Sequence, residues 1–168
     1  MKKRYSILVL LVIMCITFTG CNSSKKVINV DNATEADVVY NNYKSNEYEY
    51  DKVKYQVTNV GKSKGNNVDK PSDGKEYIIV SIKITNTSGK DIKYNALDWK
   101  LVDSSNKEDA EAFTIINNKT SMGSGTLESG KSIEKTIAFE KKLESSDLKL
   151  RLYKNVLEKS PSVEIPIK

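Results

Sequence analysis

The stretch Asp73–Ile92, DGKEYIIVSIKITNTSGKDI, decides the fold. Ile78, Val80, Ile82 and Ile84 fall on one side of an extended chain, and Tyr77, Ile79, Ser81, Lys83 and Thr85 fall on the other. Period-two alternation in β-branched residues marks a strand with one face in a core. Asp73-Gly74 opens it as a turn and Asn86-Thr87-Ser88-Gly89 closes it as another. The rest of the chain must then supply strands to cover this one.

Working outward, Val53, Tyr55 and Val57 alternate with Lys54, Gln56 and Thr58 as a preceding strand. A loop with Gly61, Gly65, Asn66, Asn67, Pro71 and Gly74 joins the two. After Gly89, Leu97, Trp99 and Leu101 share an apolar phase, which predicts a buried Trp99. Asp103 to Asp109 reads as a polar turn, Phe113, Ile115 and Ile116 as a short strand, and Glu128-Ser129-Gly130-Lys131 as a turn. Ile133, Ile137 and Phe139 form the next strand, Leu148, Leu150 and Leu152 another, and Val163, Ile165 and Ile167 the last. Pro161 and Pro166 predict that this last strand is an edge, because proline cannot donate to a ladder. About seven short strands without a long helical crossover predict an all-β fold, two packed antiparallel sheets in an Ig-like sandwich over residues 52–168.

The N-terminus reads differently. Lys2, Lys3 and Arg4 precede an apolar run from Ile7 to Ile16, then Phe18-Thr19-Gly20-Cys21. A basic start, a short apolar run and a small residue before the cut describe an export signal over residues 1–20. The run is shorter than the roughly 20 apolar residues of a membrane span. Thr19-Gly20-Cys21 resembles the bacterial lipoprotein signal, which implies cleavage before Cys21 and a lipid on its thiol; Phe18 departs from the usual aliphatic residue. Residues 21–51 read as the lipidated cysteine and a polar tether, able as a coil to hold the domain on the order of 30 Å from a membrane. Within it, residues 33–43 suggest a helical turn or two with Thr34 as cap. The tyrosines at 40, 43, 48 and 50 offer either rings packed on the sandwich edge or a sticky surface.

Removing the signal lowers the basic count from 27 to 24 against 22 acids, so the net charge falls from +5 to +2. A basic surface for nucleic acid is not supported. Abundant Lys, Asn and Ile suit an AT-rich Gram-positive genome. Cys15 leaves with the signal and Cys21 carries lipid, so no disulfide braces the fold.

The order Tyr55-Gln56-Val57-Thr58-Asn59-Val60, Gly74-Lys75-Glu76-Tyr77-Ile78-Ile79-Val80, Ile84-Thr85-Asn86-Thr87-Ser88, Trp99-Lys100-Leu101-Val102-Asp103, Leu127-Glu128-Ser129-Gly130-Lys131 and Ala138-Phe139-Glu140 resembles an Ig-like domain of unknown function. That domain is common in Gram-positive lipoproteins and is similar in fold to a mycobacterial immunoprotective extracellular protein. It is sometimes labelled telomeric repeat-binding factor, a label that fits poorly with an exported, near-neutral domain. The resemblance implies no activity and no site residues.

The chain has no histidine, which removes the usual general base and the commonest metal ligand. Acids at 103, 108, 109 and 111, or 128 and 134, could be recruited to a paired-carboxylate glycosidase, although most alternate outward along strands or lie in turns, as solvated charges do. Asn67, Asp69 and Asp73 could supply oxygens to calcium, but they do not follow an EF-hand loop and read better as a turn. No catalytic, cofactor or metal residue is assigned. The expected protein is a non-enzymatic, lipid-anchored module on the outer face of the membrane, tethered through Cys21. An envelope protein or wall polymer is the expected partner, contacted through loops Gly61–Lys75, Ser104–Ala110 and Asn117–Gly125. A structural or accessory subunit of an envelope complex, and a wall-glycan hydrolase, are the alternatives.

Overall fold

A computed structural model describes residues 36–116, 119–155 and 157–167. The export signal, Cys21 and residues 21–35 of the tether lie outside the described residues, as do Asn117 and Asn118 of the third loop.

The central strand, β4 (Lys75–Asn86), is flanked by β3 (Val53–Ser63) and β9 (Ser132–Lys142), both antiparallel to it. Two short pieces, β1 (Val39–Tyr40) and β2 (Tyr48–Tyr50), pair with the outer edge of β3. A second sheet runs in the order β11 (Val163–Pro166), β10 (Lys149–Leu152), β6 (Trp99–Val102), β7 (Glu108–Asp109). β5 (Ile92–Asn95) and β8 (Ser124–Leu127) form a separate ribbon. The two larger sheets share one core. Val57, Val80, Ile82, Ile137 and Phe139 from the first meet Trp99, Leu101, Leu150 and Ile165 from the second. The fold is an all-β antiparallel sandwich. Among the described residues it has eleven strands rather than about seven, because several are two to four residues long and carry too few residues to show a period.

Three further expectations are corrected. Residues 36–43 contain no helix; Val39–Tyr40 is extended and paired, so β1 and β2 are edge pieces of the sheet within the stretch read as tether. Phe113, Ile115 and Ile116 form no strand; Phe113 is 87% exposed, and only single bridges at Glu111 and Ser121 touch β9. Leu97 is also exposed, lying in a single 3-10 turn, Ala96–Asp98, capped by the Asn95 side chain.

β3 is longer than its alternation suggested because of a bulge at Thr58. Val57 lies opposite Ile82, whereas Asn59 lies opposite Ser81, so one extra residue sits in β3. The extra residue returns Val60 to the core beside Val80. Ser45 covers the bulge: its backbone N–H donates to the Val57 carbonyl at 2.9 Å and its hydroxyl accepts from the Val57 N–H at 3.0 Å. Tyr43 and Tyr48 pack against the core, and the Tyr43 hydroxyl donates to the Pro166 carbonyl at 2.8 Å. The edge tyrosines thus tie the first sheet to β11, which lies at the edge of the second sheet.

The outer face of β4 is also covered over its first half, up to Ser81. Tyr77, Ile79 and Ser81 are buried, the first beneath the β3–β4 loop. Buried Asp69 in that loop accepts from the Tyr77 hydroxyl, the Thr114 hydroxyl and the Ile115 N–H. These three donors occupy the carboxylate that the sequence offered to calcium. At the other end of β4, the Asn86 side chain donates to the carbonyls of Lys90 (2.8 Å) and Leu127 (2.9 Å) and accepts from the Ser88 N–H. Asn86→Ala would leave two inward carbonyls without these donors and is expected to cost about 1–3 kcal/mol, read from urea unfolding.

Candidate functional site

One cavity of about 430 Å³ opens at the end of the sandwich where β3 begins. Four pieces of chain build it. Tyr50 and Asp51 come from the β2–β3 hairpin, Val53 and Tyr55 from β3, Lys90 to Lys93 from the β4–β5 connection, and Asp98 and Lys154 from beside the second sheet.

The hairpin has a two-residue turn, because Tyr50 pairs with Val53. Asp51 (φ 49°) and Lys52 (φ 57°) both take the left-handed conformation of a type I′ turn. Neither is glycine, and the arrangement is held from outside: Thr87 donates to the Lys52 carbonyl through its N–H (3.0 Å) and its hydroxyl (2.7 Å). The β4–β5 connection is fixed by Asn86, as above, and by the Ser129 N–H donating to Asp91 at 3.1 Å. Asp98 is placed by the 3-10 turn and by its carbonyl accepting from the Tyr153 N–H at 2.8 Å. The walls therefore rest on hydrogen-bonded turns.

At the floor stands Tyr55, 2% exposed, its ring edge-on to Trp99 with centroids 5.7 Å apart. Its hydroxyl is buried and, among the described residues, has no hydrogen-bond partner. Buried tyrosine hydroxyls ordinarily find one. Burial, and then the nearby Asp98, Asp51 and Tyr50, hold this phenol well above its ordinary range. Asp98 is half-buried, and no hydrogen bond or ion pair from the described residues reaches its carboxylate. Burial pushes the Asp98 carboxyl up, with Lys154 and Lys100 pulling the other way. The Lys154 ammonium makes one long hydrogen bond, 3.3 Å to the Lys93 carbonyl. Tyr55→Phe removes an unsatisfied buried group while keeping the ring on Trp99, so thermal unfolding is expected to show no loss of stability.

The carboxylates proposed from the sequence are placed elsewhere. Asp103 and Asp109 are brought together, but around the Lys141 ammonium, at 2.8 and 2.6 Å. Glu108 accepts from Arg151 at 3.0 Å and from the Tyr153 hydroxyl, and Glu134 accepts from Thr58 at 2.6 Å. Glu111 stands apart from these pairs, its carboxyl pushed up by burial. Glu128 lies exposed in the turn before β9. The loops Gly61–Lys75 and Ser104–Ala110 lie at the opposite end from the Tyr55 cavity, beyond Ser63 of β3 and Val102 of β6. The described part of the third runs along the edge of β9. Tyr55 itself was legible only as a core residue. The available signal was a tyrosine in a core-facing phase, whose hydroxyl needs a partner that the phase does not supply.

A family profile for a domain of unknown function, DUF4352, matches residues 43–161. The chain belongs to this family. Three solved structures are similar in fold. A candidate lipoprotein of Bacillus subtilis is 17% identical, with a TM-score of 0.62 over 74% of this chain and 38% of the other. This chain therefore spans well under half of that protein. A functionally unknown protein of Listeria monocytogenes is 17% identical, with a TM-score of 0.57 over 84% of this chain and 93% of its own. A conserved protein of Bacillus anthracis is 17% identical, with a TM-score of 0.54 over 80% and 100% respectively. A search of curated proteins finds no match. At these identities the likeness is one of fold. No helix among the described residues is long and apolar enough to cross a membrane.

Proposed function

We propose that this DUF4352 protein is a lipoprotein anchored through Cys21 to the outer face of the cell membrane, and that its sandwich is a binding module whose site is the Tyr55 cavity. The observation that carries the binding reading is a cavity lined by the buried Tyr55, whose hydroxyl is unpartnered, and by the half-buried Asp98 carboxylate, which no contact from the described residues neutralises. Burying such groups costs free energy unless a partner arrives. The Cys21 motif and the candidate lipoprotein among the structural neighbours support the anchor. The Ig-like description belongs to the same reading, supported by Trp99 packed between two antiparallel sheets.

The role is binding rather than catalysis, and the partner is an envelope component rather than nucleic acid. Asp103, Asp109 and Glu108 are held by cations, which suits structural carboxylates better than an acid–base pair. Two experiments test the reading. Labelling cells with a clickable fatty acid should tag the protein, and Cys21→Ser should abolish the tag; persistent labelling would place the lipid elsewhere. Purified full-length protein should retain solubilised envelope proteins or wall polymer, and Asp98→Asn with Tyr55→Phe should release them. Undiminished retention by that double variant would remove the cavity from the interaction.

A further inference from the structure

Apart from Phe113, the large exposed apolar side chains among the described residues divide between the two ends of the sandwich. Tyr50, Leu97 and Leu157 lie at the cavity end. Val39, Tyr40 and Leu143 lie at the opposite end, where the described chain enters. There Leu143 follows β9, its N–H donating to the Gly74 carbonyl at 3.3 Å.

This second group is held in place. Val39 and Tyr40 pair with Lys62 and Gly61 of β3, and the Asn41 N–H donates to the Val60 carbonyl at 2.9 Å. Val38 and Tyr40 lie over Gly61, so close that a Cβ there would stand 2.8 and 2.9 Å from them. Val39 is therefore presented on a fixed strand and is still 69% exposed. A cavity of about 410 Å³ opens beside it, bordered by Lys62, Lys64 and Glu76. Charge at this end is balanced. Lys62 pairs with Glu76 at 2.7 Å and Lys75 with Glu140 at 3.2 Å. Lys64 has no partner among the described residues, and exposed Asp37 offsets it across the same cavity.

The position of Cys21 says what meets this end. Fifteen residues, 21–35, separate that cysteine from the described chain. A coil of fifteen residues averages about 20 Å end to end, less than the roughly 30 Å between the two ends of the sandwich. A lipid on Cys21 thus brings a bilayer to the entry end and not to the cavity end. The tether makes the contact intramolecular, at an effective concentration in the millimolar range, so a few apolar side chains suffice. They would not suffice for a second copy of the chain, since a stable protein interface buries at least about 1,200 Å². A tyrosine ring and a lysine with an apolar stem suit the boundary between acyl chains and headgroups.

We propose that the entry end of the sandwich rests on the lipid surface that holds Cys21, with Val39, Tyr40 and Leu143 at headgroup level and Lys64 toward the phosphates. This rests on the reading of Cys21 as the lipid anchor, and it turns the cavity end away from the bilayer.

The test uses the lipidated full chain in phosphatidylcholine vesicles, with and without phosphatidylglycerol. Intact mass reports the acylation, which checks the anchor separately. Processing removes Cys15 and acylates Cys21, so Val39→Cys, Leu143→Cys and Lys93→Cys each add the one free thiol, which takes a polarity-sensitive dye. Lipids brominated on their acyl chains should quench the dye at positions 39 and 143 at least twofold more than at 93, at the cavity end. Because Asp37 offsets Lys64, quenching should be the same in both vesicles. If an acylated chain is quenched no more at 39 and 143 than at 93, the contact is wrong and the anchor stands. If the dye at 39 reports an apolar surrounding that brominated lipid does not quench, protein covers the patch and the lipid surface is overturned. If quenching requires phosphatidylglycerol, charge makes the contact and the apolar assignment falls. A chain without acylation removes both readings.

Discussion

Trp99→Ala is expected to lower the unfolding free energy by about 3–5 kcal/mol, the range for a large aromatic deleted from a packed core. Trp99 is 1% exposed and stands at the start of β6, between the two sheets. Its removal would take away the edge-on partner of Tyr55 and open a void beside residues too tightly held by their ladders to collapse into it. With no disulfide among the described residues to limit the unfolded chain, such a loss is a large fraction of the 5–15 kcal/mol typical of a domain. Denaturant titration followed by circular dichroism measures it. A change below about 1 kcal/mol would contradict the burial of Trp99.

Lys141→Met should be nearly as damaging, through charge instead of volume. The Lys141 side chain is 2% exposed, bonded to Asp103, Asp109 and the Lys107 carbonyl. It joins β9 of the first sheet to β7 and the end of β6 in the second. Removing the cation leaves two neighbouring carboxylates facing each other. The expected loss is about 3 kcal/mol, at the lower end for a broken buried pair because the two acids keep 14% and 21% exposure. The effect has a sign in pH. Hydrogen bonds from Lys141 and Ser105 hold the Asp103 carboxyl far below the ordinary aspartate range. A depressed folded-state value adds stability above the unfolded value of about 3.9 and loses it as the pH falls further. The wild type should therefore weaken below about pH 4. In Lys141→Met the same protonation relieves repulsion, so the gap between the two proteins should narrow with acid. Parallel melting curves at neutral pH and at about pH 3 distinguish this from a simple packing defect.

The fold was legible where long strands repeat one period. Ile78, Val80, Ile82 and Ile84 face the core as their alternation requires, and Ile137 and Phe139 stand opposite Val80 and Ile78 on β9. Tyr77, Ile79 and Ser81 show the limit of that signal. Alternation names the face toward the second sheet, but only tertiary structure shows that the first half of the other face is covered too. The Thr58 bulge hid the second half of β3 in the same way, since one inserted residue reverses the phase that a periodic reading follows. The candidate site was less legible still. Glycine-rich loops drew attention to one end of the sandwich, whereas the cavity is built from Tyr50, Asp51, Lys90, Lys93, Asp98 and Lys154, singly unremarkable and distant in the chain. What unites them is the missing partner of Tyr55, a property of three-dimensional surroundings rather than of spacing.

The direction of β3 gives the molecule a polarity. The described chain enters at Asp37 and Val39 beside Lys62 and Ser63, at one end of that strand, and the cavity sits past Val53 at the other. Eleven residues of strand set the two poles roughly 30 Å apart. The cavity therefore lies at the pole farther from the point where the described chain enters the sandwich, so a contact there would leave the entering chain clear.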